Sequence, residues 1–275
     1  MKRHCYFNGK ITTLDKIKID PYDIGVLRGY GVFDVSCALG EKVFLFKEHY
    51  ARLKNSAREL RMKLPWSEKE FGEILTKLLK LNGFNRSTIR TILTGGISSD
   101  AFSFCGKPTC YILIEKFQYL PKDIYEKGAK LMTHEFERTI PRAKVANYIE
   151  AVRNQDRKKK SKALEILFVK DGKVLEASTS NVFMVKNGKV ITPKDNILLG
   201  TTRNLIVKLA KKKYPVEERE ISFSEFKKAD EVFLTATNKF VVPIVQVDSW
   251  KVGNGKIGQI TKNMMQIFAE FEKRY

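Results

Sequence analysis

Gly200-Thr201-Thr202-Arg203 opens a helical pattern whose apolar stripe is Leu205, Ile206 and Leu209. Backbone N–H groups and two hydroxyls at a helix start make an anion site. An ordinary threonine N-cap would read the same way. Thr235-Ala236-Thr237-Asn238 follows an apolar strand and offers a second hydroxyl-rich turn. Glu176-Ala177-Ser178-Thr179-Ser180-Asn181 sets one carboxylate before four small residues and an asparagine, between two strands. Lys144 stands among small apolar residues just ahead of a helix, in Pro141-Arg142-Ala143-Lys144-Val145-Ala146-Asn147-Tyr148. In a chain with 51 lysines and arginines, spacing alone does not single it out. Gly25, Gly29 and Gly31 precede a strand, in a loop fit to approach something closely. That loop is not the G-x-G-x-x-G of a dinucleotide site.

The elements that must carry these residues fall into two groups. Strands flank the Asn8-Gly9 turn, and Ile17-Lys18-Ile19-Asp20 alternates. A longer strand covers 32–39, and a helix over 46–62 buries Tyr50, Leu53, Ala57 and Leu60. Ser67 and Glu70 form a capping box for a second helix that stops at Asn82-Gly83. Strands over 88–93 and 110–115 close a small N-terminal domain, 1–116. A linker at 117–122 leads to a larger, strand-rich domain, 123–275. There a strand over 130–136 and a helix over 146–160 precede a strand over 164–169. Asp171-Gly172 and Asn187-Gly188 then mark hairpins. Helices over 201–212 and 224–229, strands over 231–234 and 240–247, and a terminal helix complete an α+β reading.

The 275 residues suit two domains, and 43% apolar content supports a sizeable core. Disordered and collagen-like classes are excluded, and no apolar run nears the roughly 18 residues of a membrane span. Residues 1–9 reach a turn before a signal-peptide core could form, so a cytoplasmic protein away from membranes is expected. Four cysteines and three histidines are scattered without metal-ligand spacing, so no metal is expected. The net charge of +20 raises the question of nucleic acid. Much of it lies in lysine clusters near expected helix ends, with no nucleic-acid motif, so a nucleic-acid partner is not expected.

Taken in order, the motifs resemble the class IV aminotransferases, the pyridoxal-phosphate enzymes of fold type IV. The resemblance runs through the 23–34 loop, His49-x-x-Arg52-Leu53-x-x-Ser56 and Lys144-x-x-Asn147-Tyr148. It continues through Glu176-x-Ser178-x-Ser180-Asn181, Leu198-x-Gly200-x-Thr202-Arg203 and Thr237 with Pro243. It implies a two-domain fold type IV chain that binds pyridoxal 5'-phosphate and works as a homodimer. Lys144 then corresponds to the Schiff-base lysine and Glu176 to the partner of the pyridine nitrogen, whose charge keeps the ring protonated. Arg52, Thr202 and Thr237 correspond to the phosphate grip, helped by the N–H groups of Thr201 and Thr202. Leu198 supports the ring, Tyr148 donates to the phenolic oxygen, and Asn181 steadies that oxygen or the loop below it.

The departures bear on the substrate. Family members usually carry Glu where Phe240 stands, and Ala is common in branched-chain enzymes where Asn238 stands. D-amino-acid enzymes of the bacillus type have Tyr in place of Phe33, and an Arg within the segment that is here Thr94-Gly95-Gly96. Arg28 and Arg90 are substitute candidates for a carboxylate pair. On that basis the sequence leans to a D-amino-acid aminotransferase, with D-alanine or D-glutamate as donor and a 2-oxo acid as acceptor. A branched-chain L-amino-acid aminotransferase and an aminodeoxychorismate-type lyase are the alternatives.

Overall fold

The computed structural model describes residues 3–275 and shows two units. The first is Met1–Gln118 with Ala143–Asn147, and the second is Tyr119–Arg142 with Tyr148–Tyr275.

In the first unit, β1 (His4–Phe7) and β2 (Lys10–Thr13) meet at the Asn8-Gly9 turn. Helix α1 (Ile24–Arg28), β3 (Gly31–Leu39) and β4 (Lys42–Val43) follow. Helices α2 (Phe46–Glu59) and α3 (Glu68–Asn82) lead to β5 (Arg86–Thr94) and β6 (Thr109–Lys116). The strands form one antiparallel sheet in the order β2-β1-β6-β5-β3-β4. Strand alternation puts Val32, Ile89, Leu93 and Ile112 on the buried face, which packs on α2 and α3 with Leu53, Leu75 and Leu78. The other face carries half-buried Phe33, Val35, Ile92, Tyr111 and Leu113. The expected capping box opens α3, with Ser67 accepting from Glu70 N–H and Glu70 accepting from Ser67 N–H.

The glycine loop holds a short helix. Asp23 is fully buried and caps α1, accepting from Gly25 N–H at 2.7 Å and from Thr94 Oγ1–H at 2.7 Å. Gly29 ends the helix at φ +66°, where a side chain would be strained. Residues 17–20 form no strand, because alternation without a neighbouring edge has nothing to pair with.

In the second unit, α4 (Lys122–Lys127) precedes β7 (Ala129–Glu135), α5 (Ile149–Arg153) and α6 (Gln155–Lys160). Strands β8 (Glu165–Lys170), β9 (Lys173–Ala177), β10 (Asn181–Lys186) and β11 (Lys189–Thr192) follow. Helix α7 (Thr201–Ala210) leads to β12 (Val216–Glu218), β13 (Ile221–Ser222) and α8 (Phe223–Phe226). Strands β14 (Glu231–Ala236), β15 (Phe240–Val247) and β16 (Trp250–Lys251) precede α9 (Gln259–Arg274). The ten-stranded sheet runs β12-β11-β10-β14-β15-β7-β8-β9-β13, with β16 on β15. Its core includes Leu131, Leu167, Val182, Met184, Leu234 and Val242. The single helix expected over 146–160 is two helices parted at Asn154. The Asn154 amide donates to Glu150 O at 2.9 Å, the local competition that breaks helices at asparagine.

The chain divides elsewhere than expected. Phe117 is buried and its N–H bonds Arg86 O at 3.0 Å, so it finishes the first sheet rather than starting a linker. Residues 143–147, expected in the second domain, join the first unit. Phe33 N–H donates to Lys144 O at 2.9 Å, and Ala146 N–H donates to Gly31 O at 2.8 Å. Backbone pairing to a strand so far upstream leaves no mark on local composition. Among the described residues no helix is long and apolar enough to cross a membrane, and no group of His, Cys, Asp or Glu could hold a metal ion.

Candidate active site

In the first unit Lys144 is fixed by its backbone. Its N–H donates to the buried Ser56 hydroxyl at 3.0 Å, and its carbonyl accepts from Phe33. The Lys144 Nζ then lies over the Phe33 ring, 4.6 Å from the centroid. A cation over an aromatic face is attracted by the ring quadrupole, which orients the amine.

Arg52 and His49 stand three residues apart on α2 and both reach Asp34 on β3. Arg52 Nε–H donates to Asp34 Oδ2 at 2.7 Å, and His49 Nδ1 meets Asp34 Oδ1 at 2.6 Å. Burial alone would raise the Asp34 carboxyl. The Arg52 and His49 charges and their hydrogen bonds outweigh burial and hold it well below the usual range. Burial outweighs Asp34 at His49 and lowers its pKa. Neither His49 nor Asp34 was assigned a role from sequence, although the His49-x-x-Arg52 spacing was visible.

Arg28 and Arg90 each meet other partners. Arg28 is exposed in the last turn of α1, its Nη1 donating to Leu27 O at 2.9 Å and its guanidinium 5.7 Å from the Phe102 ring centroid. Arg90 pairs with Glu115 at 2.8 Å. It lies four residues along β5 from Thr94, the register partner of Gly31, a separation of about 13 Å. Arg90 thus already has an acidic partner on its own sheet face.

In the second unit Glu176 sits near the end of β9, buried. Arg138 donates to it through Nε at 2.8 Å and through Nη2, and also donates through Nη2 to Pro141 O at 3.1 Å. Leu198 N–H donates to the same carboxylate at 3.2–3.3 Å. Arg138 was missed from sequence. Nothing in one arginine among many marks it as the partner of a residue 38 positions on. Asn181 donates from Nδ2 to Leu198 O at 2.7 Å, so it steadies the loop that carries Leu198. Tyr148, half-buried, is the residue before α5, and Thr237 and Asn238 form the half-buried turn between β14 and β15.

Helix α7 starts at Gly200 with no side-chain cap, and its first internal bond is Asn204 N–H to Gly200 O at 2.9 Å. Thr201 and Thr202 are buried in its first turn. A Cβ on Gly200 would stand 2.2 Å from Asn181 Oδ1, so glycine is needed for the helix start to seat there. Asn181 pairs in register with Thr235, whose buried hydroxyl has no hydrogen-bond partner. An uncapped helix start, threonine hydroxyls and an orphaned buried hydroxyl suit a phosphate group. Arg203, 2% exposed, anchors this turn, donating to Pro193 O at 2.8 Å and to Glu218 at 3.0 Å.

The family model for amino-transferase class IV matches residues 31–247. The chain belongs to the class IV aminotransferases. A putative branched-chain-amino-acid aminotransferase of Methanocaldococcus jannaschii is 30% identical, over 98% of this chain and 96% of that relative. A D-alanine aminotransferase of Listeria monocytogenes is 29% identical, over 96% and 94%. The branched-chain amino acid aminotransferase of Escherichia coli superposes with a TM-score of 0.90 at 26% identity, covering 98% of this chain and 94% of the other. This aminotransferase therefore has the two-sheet architecture of fold type IV and uses pyridoxal 5'-phosphate, with amino acids and 2-oxo acids as substrates. The phosphate-suited helix start of α7 fits that cofactor.

Proposed function

We propose that this aminotransferase takes its amino group from an aliphatic L-amino acid of the branched-chain type. The observation that carries the reading is the setting of Lys144. Its Nζ sits over Phe33, and the same sheet face continues through Val35, Ile92 and Leu113. Arg90 on that face is paired with Glu115, so an aliphatic side chain suits it better than a charged one. The E. coli and M. jannaschii relatives, both named branched-chain enzymes, support the choice. The D-amino-acid reading keeps support from the Listeria D-alanine aminotransferase, while Arg90, one of the two arginines on which it leaned, is paired with Glu115.

Bound pyridoxal phosphate supplies a carbonyl for the amino group and an electron-withdrawing ring. Lys144 is the reacting amine and moves the proton at the substrate carbon. Glu176, held by Arg138, would keep the proton on the pyridine nitrogen. Thr201, Thr202 and Thr237, and Arg52 by the family resemblance, would hold the phosphate. Leu198 would support the ring and Tyr148 would donate to its phenolic oxygen, while Asn181 fixes the loop that carries Leu198. Asn238 and Phe33 would contact the substrate. The enzyme reads as a cytoplasmic homodimer, which light scattering checks. Its positive charge reads as a solubility feature, gathered in part in the last turn of α6. DNA titration at physiological salt should show only weak, steeply salt-sensitive binding.

The deciding assay compares L-leucine with D-alanine, each with 2-oxoglutarate, on wild type and Lys144→Ala. L-leucine preference is expected, with activity and the visible cofactor band abolished in Lys144→Ala. Preference for D-alanine would return the enzyme to the D-amino-acid reading. Near wild-type turnover in Lys144→Ala would require another lysine.

A further inference from the structure

Lys239, the third residue of the Thr237-Asn238-Lys239 turn, turns its side chain inward. Its Nζ donates to Glu165, the first residue of β8, to Thr179 Oγ1 at 2.5 Å and to Ser180 Oγ at 3.4 Å. The two charged side chains are 12% and 3% exposed. Glu165 also accepts from Thr179 N–H at 2.8 Å, from Thr179 Oγ1–H at 3.0 Å, from Ser178 Oγ–H at 3.2 Å and from Ser180 Oγ–H. One carboxylate thus collects a donor from every residue of the 178–180 turn and from the 237–239 turn. The first of those turns lies between Glu176 and Asn181, and the second carries Thr237 and Asn238.

The second turn is held at further points. Lys239 O accepts from the Tyr125 hydroxyl at 3.0 Å, and Lys239 N–H donates to Ala236 O at 3.3 Å. Phe240 sits at φ +62°, in the left-handed region, with its ring 5.5 Å from that of Phe268. A bulky residue in that region persists only where its surroundings over-determine it. Burial by itself would raise the Glu165 carboxyl, but the Lys239 charge and the hydrogen bonds outweigh it, so the group stays ionised.

An apolar pair of the same volume often holds two loops as well as a buried ion pair does. What the charged pair adds is direction, since Nζ must meet a set of oxygens at fixed angles. We propose that Glu165 and Lys239 are positioning residues that fix the Thr237-Asn238 turn in register with the Glu176-to-Asn181 turn, and so set how the substrate carboxylate and cofactor phosphate are received. This rests on the roles given above to Thr237, Asn238 and Glu176.

The test uses holoenzyme and three variants: Lys239→Met, Glu165→Gln and the double substitution. Steady-state kinetics, cofactor retention on dialysis, the visible circular dichroism of the bound cofactor and the melting temperature are read together. Lys239→Met is expected to raise the amino-acid KM about tenfold more than it lowers kcat, the mark of lost binding rather than lost chemistry. It should also weaken cofactor retention and change the dichroism band. The double variant removes the buried unpaired charge and should recover melting temperature while KM stays raised. Recovery of KM together with melting temperature, or a fall in melting temperature with KM and the band unmoved in Lys239→Met, would make the pair structural only and overturn the proposal. A Lys144→Ala enzyme that keeps its visible band while Lys239→Met behaves as expected would overturn the site assignment instead, leaving a positioning effect without the stated roles.

Discussion

Asp34–Arg52 in the first unit and Glu176–Arg138 in the second are the same chemistry at the same depth. Their side chains are 5% and 11% exposed in one pair, 8% and 10% in the other. They differ in where the partners come from. Asp34 is answered by His49 and Arg52 from a single helix turn, where residues three apart share a face. Glu176 is answered by Arg138 from the segment after β7 and by Leu198 N–H from the loop before α7. The first cluster contains a titrating histidine and so ties stability to pH. The second is an arginine and a backbone amide gathered on one carboxylate. Under the proposed roles, the local cluster would act as an orienting brace and the one assembled from distant segments as the partner of the pyridine nitrogen.

The sharpest way to break that comparison is Glu176→Gln, which keeps the shape and removes the charge. A fall in kcat on the order of hundreds-fold or more is expected, the scale of preorganised electrostatic stabilisation. A loss below about threefold would mean that Glu176 does not manage the ring nitrogen. Asp34→Asn is the counterpart. It leaves Arg52 buried without its anion and should cost about 3 kcal/mol in urea unfolding, with a smaller fall in kcat. An equal effect on kcat in both variants would erase the distinction between brace and charge.

Arg52→Ala sharpens the role of the brace. With Nε committed to Asp34, the guanidinium plane is set, and its loss should weaken cofactor retention by roughly 1.5–3 kcal/mol. Retention equal to wild type on dialysis would leave Arg52 as a structural partner of Asp34 alone. The smallest effect is in pH. The folded His49 pKa lies below its ordinary 6.5, so the unfolded chain takes up the proton first as pH falls. Its contribution to stability is therefore present above about pH 6.5 and declines below it. Asp34, also depressed, adds a second loss only below its ordinary 3.8, as pH falls toward its folded pKa. Urea midpoints from pH 7.5 to 5.5 should fall slightly in wild type and less in His49→Gln. A rise on acidification would reverse the assigned sign.

Short-range patterns carried much of what was legible. The Ser67 capping box, the Asp171-Gly172 and Asn187-Gly188 hairpins and the α7 start are written in neighbours a few residues apart, because caps and turns are satisfied locally. The ordered motifs also identified the family and with it the cofactor. Tertiary structure alone decided which charges meet. Arg138 reaches Glu176, Lys239 reaches Glu165, and Lys144 takes its place from pairing with β3 and from Ser56. Arg28 and Arg90, alike in type and both near glycine turns, took different partners, Leu27 O with the Phe102 ring for one and Glu115 for the other. A charged side chain carries no record of its partner in its own neighbourhood. The partner is chosen when sheet formation brings distant segments within hydrogen-bond reach and burial makes an unanswered charge too costly to keep.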